Sequence, residues 1–167
     1  MDHSKWPQIE TFILDVDGVF TDGKLMITED GDFLRAMSVR DGMALKVAVA
    51  AGYTVAIITK GNSKGVKMRL LALGAHYVYD GIKDKSIPFT ELVEDHGIDP
   101  SKALYMGDDL ADLVLFDKVL LACAPYDAAH EVIAAAEYIS PRCGGDGAVR
   151  DVIEKVLRTH NKWQPDY

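Results

Sequence analysis

The chain has 167 residues, the size of one domain and long enough to bury a sizeable core. Hydrophobic residues make up 49% and charged residues 26%, with 14 Gly and 6 Pro, which excludes an intrinsically disordered, collagen-like or linker-rich chain. Lys and Arg number 18 against 26 Asp and Glu; the net charge of −8 gives no global field for nucleic acid or an anionic membrane, so an anionic ligand must be met by local charge.

Glu10 to Asp17 is an apolar run ended by Asp and Gly18, the pattern of a buried strand opening into a loop. Lys24 to Ile27 and Phe33 to Val39 flank the turn cluster Thr28-Glu-Asp-Gly31 and predict a β-hairpin. Asp41 is the expected N-cap of an alanine-rich helix through Ala51, closed by Gly52, with Tyr53 to Ile58 as the next strand. A helix over Lys64 to Leu73, a strand at His76 to Val78 and a helix from Lys85 to His96 follow, with Pro88 tolerable only in the first turn. The remaining expectations are strands at Ala103–Met106, Val119–Ala122 and Glu137–Ile139, with helices at Leu110–Phe116, Ala128–Ala135 and Ala148–Leu157.

Strands alternating with helices specify a single α/β domain over residues 1–167: a Rossmann-like, doubly wound parallel sheet with helices on both faces. The hairpin is the one insert after the first strand, and no cap domain is expected. Met1 to Pro7 and His160 to Tyr167 are expected to be loose. Cys123 and Cys143 match neither a disulfide framework nor a zinc spacing. With no signal-like leader and no run near the ~20 apolar residues of a membrane span, a reduced, cytoplasmic setting is expected.

In such a sheet ligands bind beyond the carboxyl ends of the strands, so what ends each strand matters. The first ends in Asp15-Val-Asp17-Gly18, the second in Thr59-Lys60-Gly61, and the fourth in Gly107-Asp108-Asp109, while Lys85 opens the helix after the third. Taken singly, each has a plain structural reading: an Asx turn, a helix cap, a solvated charge. Together they crowd carboxylates onto one rim, where a cation is needed among them, and a hard, oxygen-rich cluster suits Mg²⁺. A carboxylate there can attack phosphorus, and a second one two residues on can protonate the leaving oxygen and then activate water.

DVDGVFTDG, the Thr ending the second strand, the Lys before the third helix and GDDLADL resemble, in order, the four motifs of the haloacid dehalogenase superfamily of phosphohydrolases. The resemblance implies Asp15 as nucleophile and Asp17 as acid/base. It implies Thr59, Lys60 and Lys85 as phosphate binders, and Asp15, Asp108 and the Asp17 carbonyl as Mg²⁺ ligands, with Asp109 and Asp112 as supporting or helix-capping groups. The hairpin, Val39-Arg-Asp-Gly-Met43 and the tail Gly144-Gly-Asp-Gly-Ala-Val-Arg150 are similar to a capless subfamily, the 3-deoxy-D-manno-octulosonate 8-phosphate phosphatases. That subfamily's relatives acting on nonulosonate 9-phosphates, and the phosphatase-like domain attached to some acylneuraminate cytidylyltransferases, stand beside it as alternatives.

From this resemblance come the expected substrate, a sugar-acid phosphate, and the expected assembly, a homotetramer whose hairpins meet at its centre and whose C-terminal segments reach neighbouring sites. Arg40, Asp41, Gly42 and Arg150 are the expected substrate binders. Lipopolysaccharide, capsule and sialic-acid-like glycan synthesis are all compatible pathways. Members acting on the octulosonate typically carry Thr-Gly-Arg at the second motif and an Arg in the glycine tail. Here those places read Thr59-Lys60-Gly61 and Asp146. A phospho-acceptor without phosphatase activity is disfavoured, because Asp17 would hydrolyse the phosphoenzyme.

Overall fold

The computed structural model describes residues 4–164. Strand β1 (Thr11–Leu14) leads through a loop and the hairpin strands β2 (Met26–Ile27) and β3 (Phe33–Leu34) into helix α1 (Val39–Ala50). There follow β4 (Thr54–Ile58), α2 (Lys64–Ala72), β5 (Tyr77–Tyr79), α3 (Ser86–Glu94), β6 (Ala103–Met106), α4 (Leu113–Phe116), β7 (Leu121–Ala124), α5 (His130–Ala135), β8 (Tyr138–Ile139) and α6 (Ala148–Thr159). The main sheet has the order β5-β4-β1-β6-β7-β8, every neighbouring pair parallel. From β1 the chain winds outward one way through β4 and β5 and the other way from β6. The order therefore reverses between β1 and β6, where a ligand crevice is expected.

Alternate strand residues serve the two faces. Phe12, Leu14, Val55, Ile57, Leu104 and Met106 join the core under α1, α2 and α6. Ile13, Ala56, Ile58, Ala103 and Tyr105 join the core under α3, α4 and α5. Burial on both sides explains why these strands read as unbroken apolar runs. No cap domain is present among the described residues: only the hairpin separates β1 from α1. Both cysteines are free thiols, and no helix among the described residues is long and apolar enough to cross a membrane.

Three local expectations are corrected. The N-cap of α1 is Ser38, whose hydroxyl accepts from the Asp41 amide at 3.3 Å, so the helix starts before Asp41. Strand β7 lies two residues later than expected: the Leu120 amide bonds the Pro100 and Ala103 carbonyls, and the paired register with β6 runs from Leu121. The ends are docked where they are described. Trp6 is buried edge-on to Tyr138, the Tyr53 hydroxyl meets His160 Nδ1 at 2.7 Å, and Arg150 stacks on Trp163. Residues 1–3 and 165–167 lie outside the described residues.

Candidate active site

Strand β1 runs into the loop at the reversal point. There the Asp15 amide donates to the Met106 carbonyl at 3.0 Å, which extends the β1–β6 ladder by one step and aims the Asp15 carboxylate past the sheet edge. One of its oxygens accepts from the Val16 amide at 2.6 Å and the other meets Lys85 Nζ at 2.7 Å. Lys85, at the N-cap of α3, is 2% exposed and bridges to Asp112 Oδ1 at 2.5 Å. A buried ammonium held between two carboxylates is an arrangement in which each charge offsets the desolvation of the others.

Asp112 is fully buried and fully used. Its Oδ1 also takes the Tyr105 hydroxyl at 2.5 Å, and its Oδ2 takes the amides of Asp108 and Asp109 at 2.9 and 3.0 Å. With Asp109 it forms a capping box on the short 3₁₀ turn Leu110–Asp112 that leads into α4. Asp112 thus holds Lys85 and the Asp108 loop in place. Asp109 is exposed and bonds the Leu110 amide at 2.8 Å. Tyr105, buried in β6, completes this network. Its sequence context, an aromatic in an apolar strand, gave no sign of it.

Carboxylate oxygens of Asp15, Asp108 and Asp112 lie within 4.8 Å of one another. The Asp108 carboxylate takes no side-chain or backbone hydrogen bond among the described residues. Burial raises Asp108 to about 7, helped by the charges of Asp15 and Asp112, and burial raises Asp15 to about 6 against the pull of Lys85. Burial alone would lower Lys85, but Asp15 and Asp112 reverse the sign and keep it a cation. Because Asp112 is saturated with donors, Asp15 and Asp108 are the side chains with lone pairs to spare. Such a pair of hard oxygen donors, in a cluster of three carboxylates with one ammonium, fits Mg²⁺. Gly18 is required here: its φ is +78°, and a Cβ would overlap the Asp108 carboxylate.

Thr59 directly follows β4 and is buried; its hydroxyl accepts from the Gly61 amide at 3.2 Å and keeps its own proton to donate. Lys60 is exposed on the same loop. Asp17 is engaged by a residue that sequence reasoning missed. Arg35, just after β3, places Nε 2.7 Å from Asp17 Oδ1 and Nη2 3.1 Å from Oδ2. A lone cation on a hairpin reads like any solvated surface charge.

The residues expected to bind substrate are not brought together with this cluster. Asp41 is fully buried and accepts from the amides of Gly147 and Arg150 at 3.2 and 2.8 Å, so it caps α6 from α1. Gly42 is buried where a Cβ would come within 3.1 Å of Arg69. Both are corrected to packing roles, since the third and fourth helical positions of α1 face inward. Arg40 and Arg150 line a groove of about 510 Å³ along α6 that includes none of Asp15, Asp17, Thr59 or Lys85. In that groove the Arg150 guanidinium is paired with Glu154 at 3.2 Å.

The glycine tail packs on its own chain's first loop. The Gly145 amide donates to the Val19 carbonyl at 3.0 Å, and a Cβ at Gly144 would overlap the Gly18 carbonyl. The far end of the chain, residues 160–164, sits by Tyr53 at the amino edge of the sheet, away from Asp15.

Spare carboxylates beside a buried lysine at the switch point of a parallel α/β sheet form a site suited to metal-assisted hydrolysis. A profile of haloacid dehalogenase-like hydrolases matches residues 78–153. Over 159 residues, 95% of this chain and 85% of the relative, the chain is 39% identical to 3-deoxy-D-manno-octulosonate 8-phosphate phosphatase KdsC of Escherichia coli K12. With KdsC of Yersinia pestis it shares 35% identity over 92% of this chain and 82% of the relative.

Among solved structures it is similar to the Moraxella catarrhalis phosphatase of the same name in complex with magnesium ion, phosphate ion and KDO. There the TM-score is 0.92 at 32% identity, covering 96% of this chain and 92% of that one. The cobalt-bound Haemophilus influenzae phosphatase gives a TM-score of 0.89 at 30% identity, over 95% and 92% of the two chains. The chain belongs to the haloacid dehalogenase-like hydrolases.

Proposed function

We propose that this chain, as one domain, is a Mg²⁺-dependent phosphatase that hydrolyses 3-deoxy-D-manno-octulosonate 8-phosphate to the free sugar acid and phosphate. The observation that carries the reading is the Asp15–Lys85–Asp112 lock beside the under-compensated Asp108 carboxylate. Identity of 39% to KdsC over nearly the whole chain supports the substrate.

In the reaction the Asp15 carboxylate attacks phosphorus as the ester P–O bond breaks. Asp17 gives its proton to the departing sugar oxygen, leaving phosphate on Asp15. Asp17 then takes a proton from a water that attacks the same phosphorus, releasing phosphate and restoring Asp15. Lys85 fixes the nucleophile's second oxygen and adds positive charge beside the transferring group, and the Thr59 hydroxyl donates to a phosphoryl oxygen. Mg²⁺, held by Asp15, Asp108 and the Asp17 main-chain carbonyl, would neutralise the phosphoryl oxygens. Exposed Lys60, on the loop that carries Thr59, is the cation assigned to the sugar-acid carboxylate.

The same proposal places the protein in the cytoplasm as a homotetramer. Leu25, Met26, Ile27, Phe33 and Leu34 of the hairpin are 45–69% exposed, an apolar surface suited to another copy, while Met37 packs on the core of its own chain. Comparing kcat/KM for the octulosonate 8-phosphate, nonulosonate 9-phosphates and simple sugar phosphates, with Mg²⁺ and with chelator, tests the substrate. The octulosonate ester should lead by at least about tenfold, a modest discrimination for contacts to one charged group. A nonulosonate ester in the lead, or turnover unchanged by chelator, would overturn the proposal.

A further inference from the structure

We propose that Arg35 is the positioning residue of the acid/base: reaching in from the hairpin, it holds both carboxylate oxygens of Asp17 in the orientation proton transfer requires. The inference rests on the reading of Asp17 as that acid/base.

The two contacts, 2.7 Å from Nε and 3.1 Å from Nη2, form a fork on a fork, the geometry that fixes a carboxylate's plane as well as its place. Asp17 needs such a holder. It follows the end of β1, its side chain is 36% exposed, and no other side chain or amide among the described residues bonds its carboxylate. Unheld, its two side-chain torsions would be free, and a general acid contributes only when it lies within hydrogen-bond reach of the leaving oxygen.

The burial of Arg35 runs against its surroundings. Its side chain is 8% exposed, while its neighbours Phe33 and Leu34 are 57% and 49% exposed. A hairpin that leaves its apolar residues in solvent yet turns its cation inward is anchored by that cation. The facing loop yields to the pair: a Cβ on Gly61 would lie 2.8 Å from Asp17 Oδ2 and 3.2 Å from Arg35 Nη2. Any larger residue there would push into the fork. Hairpin and acid/base are thereby one mechanical unit, and whatever displaces the hairpin is felt at Asp17.

The experiment compares Arg35→Ala, Arg35→Lys and wild type, with Mg²⁺, on two esters. One is an alkyl phosphate, the octulosonate 8-phosphate or any other alkyl monoester the wild type turns over, whose leaving oxygen must be protonated. The other is p-nitrophenyl phosphate, whose leaving group needs almost no proton. Since general acid catalysis contributes roughly 10²–10⁴-fold, kcat/KM of Arg35→Ala on the alkyl ester should fall at least tenfold. On the aryl ester it should change less than about threefold, because the acid has little to contribute there. Arg35→Lys, a point charge without the fork, should recover only part of the loss, and added guanidinium should restore Arg35→Ala but not Asp17→Asn.

Equal losses on both esters would mark structural damage, and no loss on the alkyl ester would show that Asp17 needs no holder; either result overturns the proposal. If wild type ignores the octulosonate ester but hydrolyses another alkyl phosphate, the assigned substrate fails, while the alkyl-to-aryl ratio still decides Arg35.

Discussion

Replacing Asp108 with Asn should make the metal-free protein more stable at pH 8 while destroying its response to Mg²⁺. Asp108 titrates near 7 instead of 3.8, raised first by burial and then by Asp15, Asp112 and Asp109. A folded-state value above the unfolded one means that the native protein binds the proton more tightly, so stability falls as pH rises from about 4 to about 8. Three units at 1.36 kcal/mol each set a ceiling of about 4 kcal/mol for the charged form. Partial exposure and the coupling to Asp15 reduce this to about 1–2 kcal/mol. For a chain of this length that is a Tm increase of about 3–7 °C.

The assay is calorimetric or fluorescence melting in chelator at pH 5 and pH 8. The gap between Asp108→Asn and wild type should be clear at pH 8 and should shrink at pH 5, where the native carboxyl is already protonated. Saturating Mg²⁺ should raise the wild-type Tm at pH 8 and leave the variant nearly unmoved. A variant less stable than wild type at pH 8 in chelator, or a gap of the same size at both pH values, would refute the electrostatic reading of this cluster.

Lys85→Met leaves Asp15 and Asp112 buried without their shared counter-ion, and a loss of about 3–5 kcal/mol is expected, read as poor folding at neutral pH. Asp41→Ala removes the acceptor for the Gly147 and Arg150 amides; melting should show a loss of about 1–3 kcal/mol, while phosphate release per folded molecule stays near wild type. Phe33→Asp puts a charge on the exposed hairpin face, and sedimentation should show the assembly dissociating to smaller species. Unchanged sedimentation would remove the hairpin from the interface.

Strand ends were legible in the sequence because the residues that carry chemistry are those that stop apolar runs. Asp15, Thr59 and Asp108 each follow a strand buried on both faces, so their positions at the sheet edge follow directly from the pattern. Lys85 was legible for a similar reason, standing just ahead of a helix whose start Pro88 marks. Contacts between distant segments were not legible. Arg35 reaches Asp17 across 18 positions, from a hairpin too short to show a period. Asp41 reaches the start of α6 across 106 and 109 positions, and its place near a helix start gave it a local reading as a cap when Ser38 already held that role. The docked ends escaped for the same reason: nothing near Trp6 in sequence announces Tyr138 as its neighbour.

The most direct test is steady-state phosphate release from 3-deoxy-D-manno-octulosonate 8-phosphate with Mg²⁺, wild type beside Asp15→Asn. Wild type should turn over, and the variant should lose at least about a thousandfold in kcat, the scale on which removing a nucleophile acts. Comparable phosphate release from the two proteins would contradict the account.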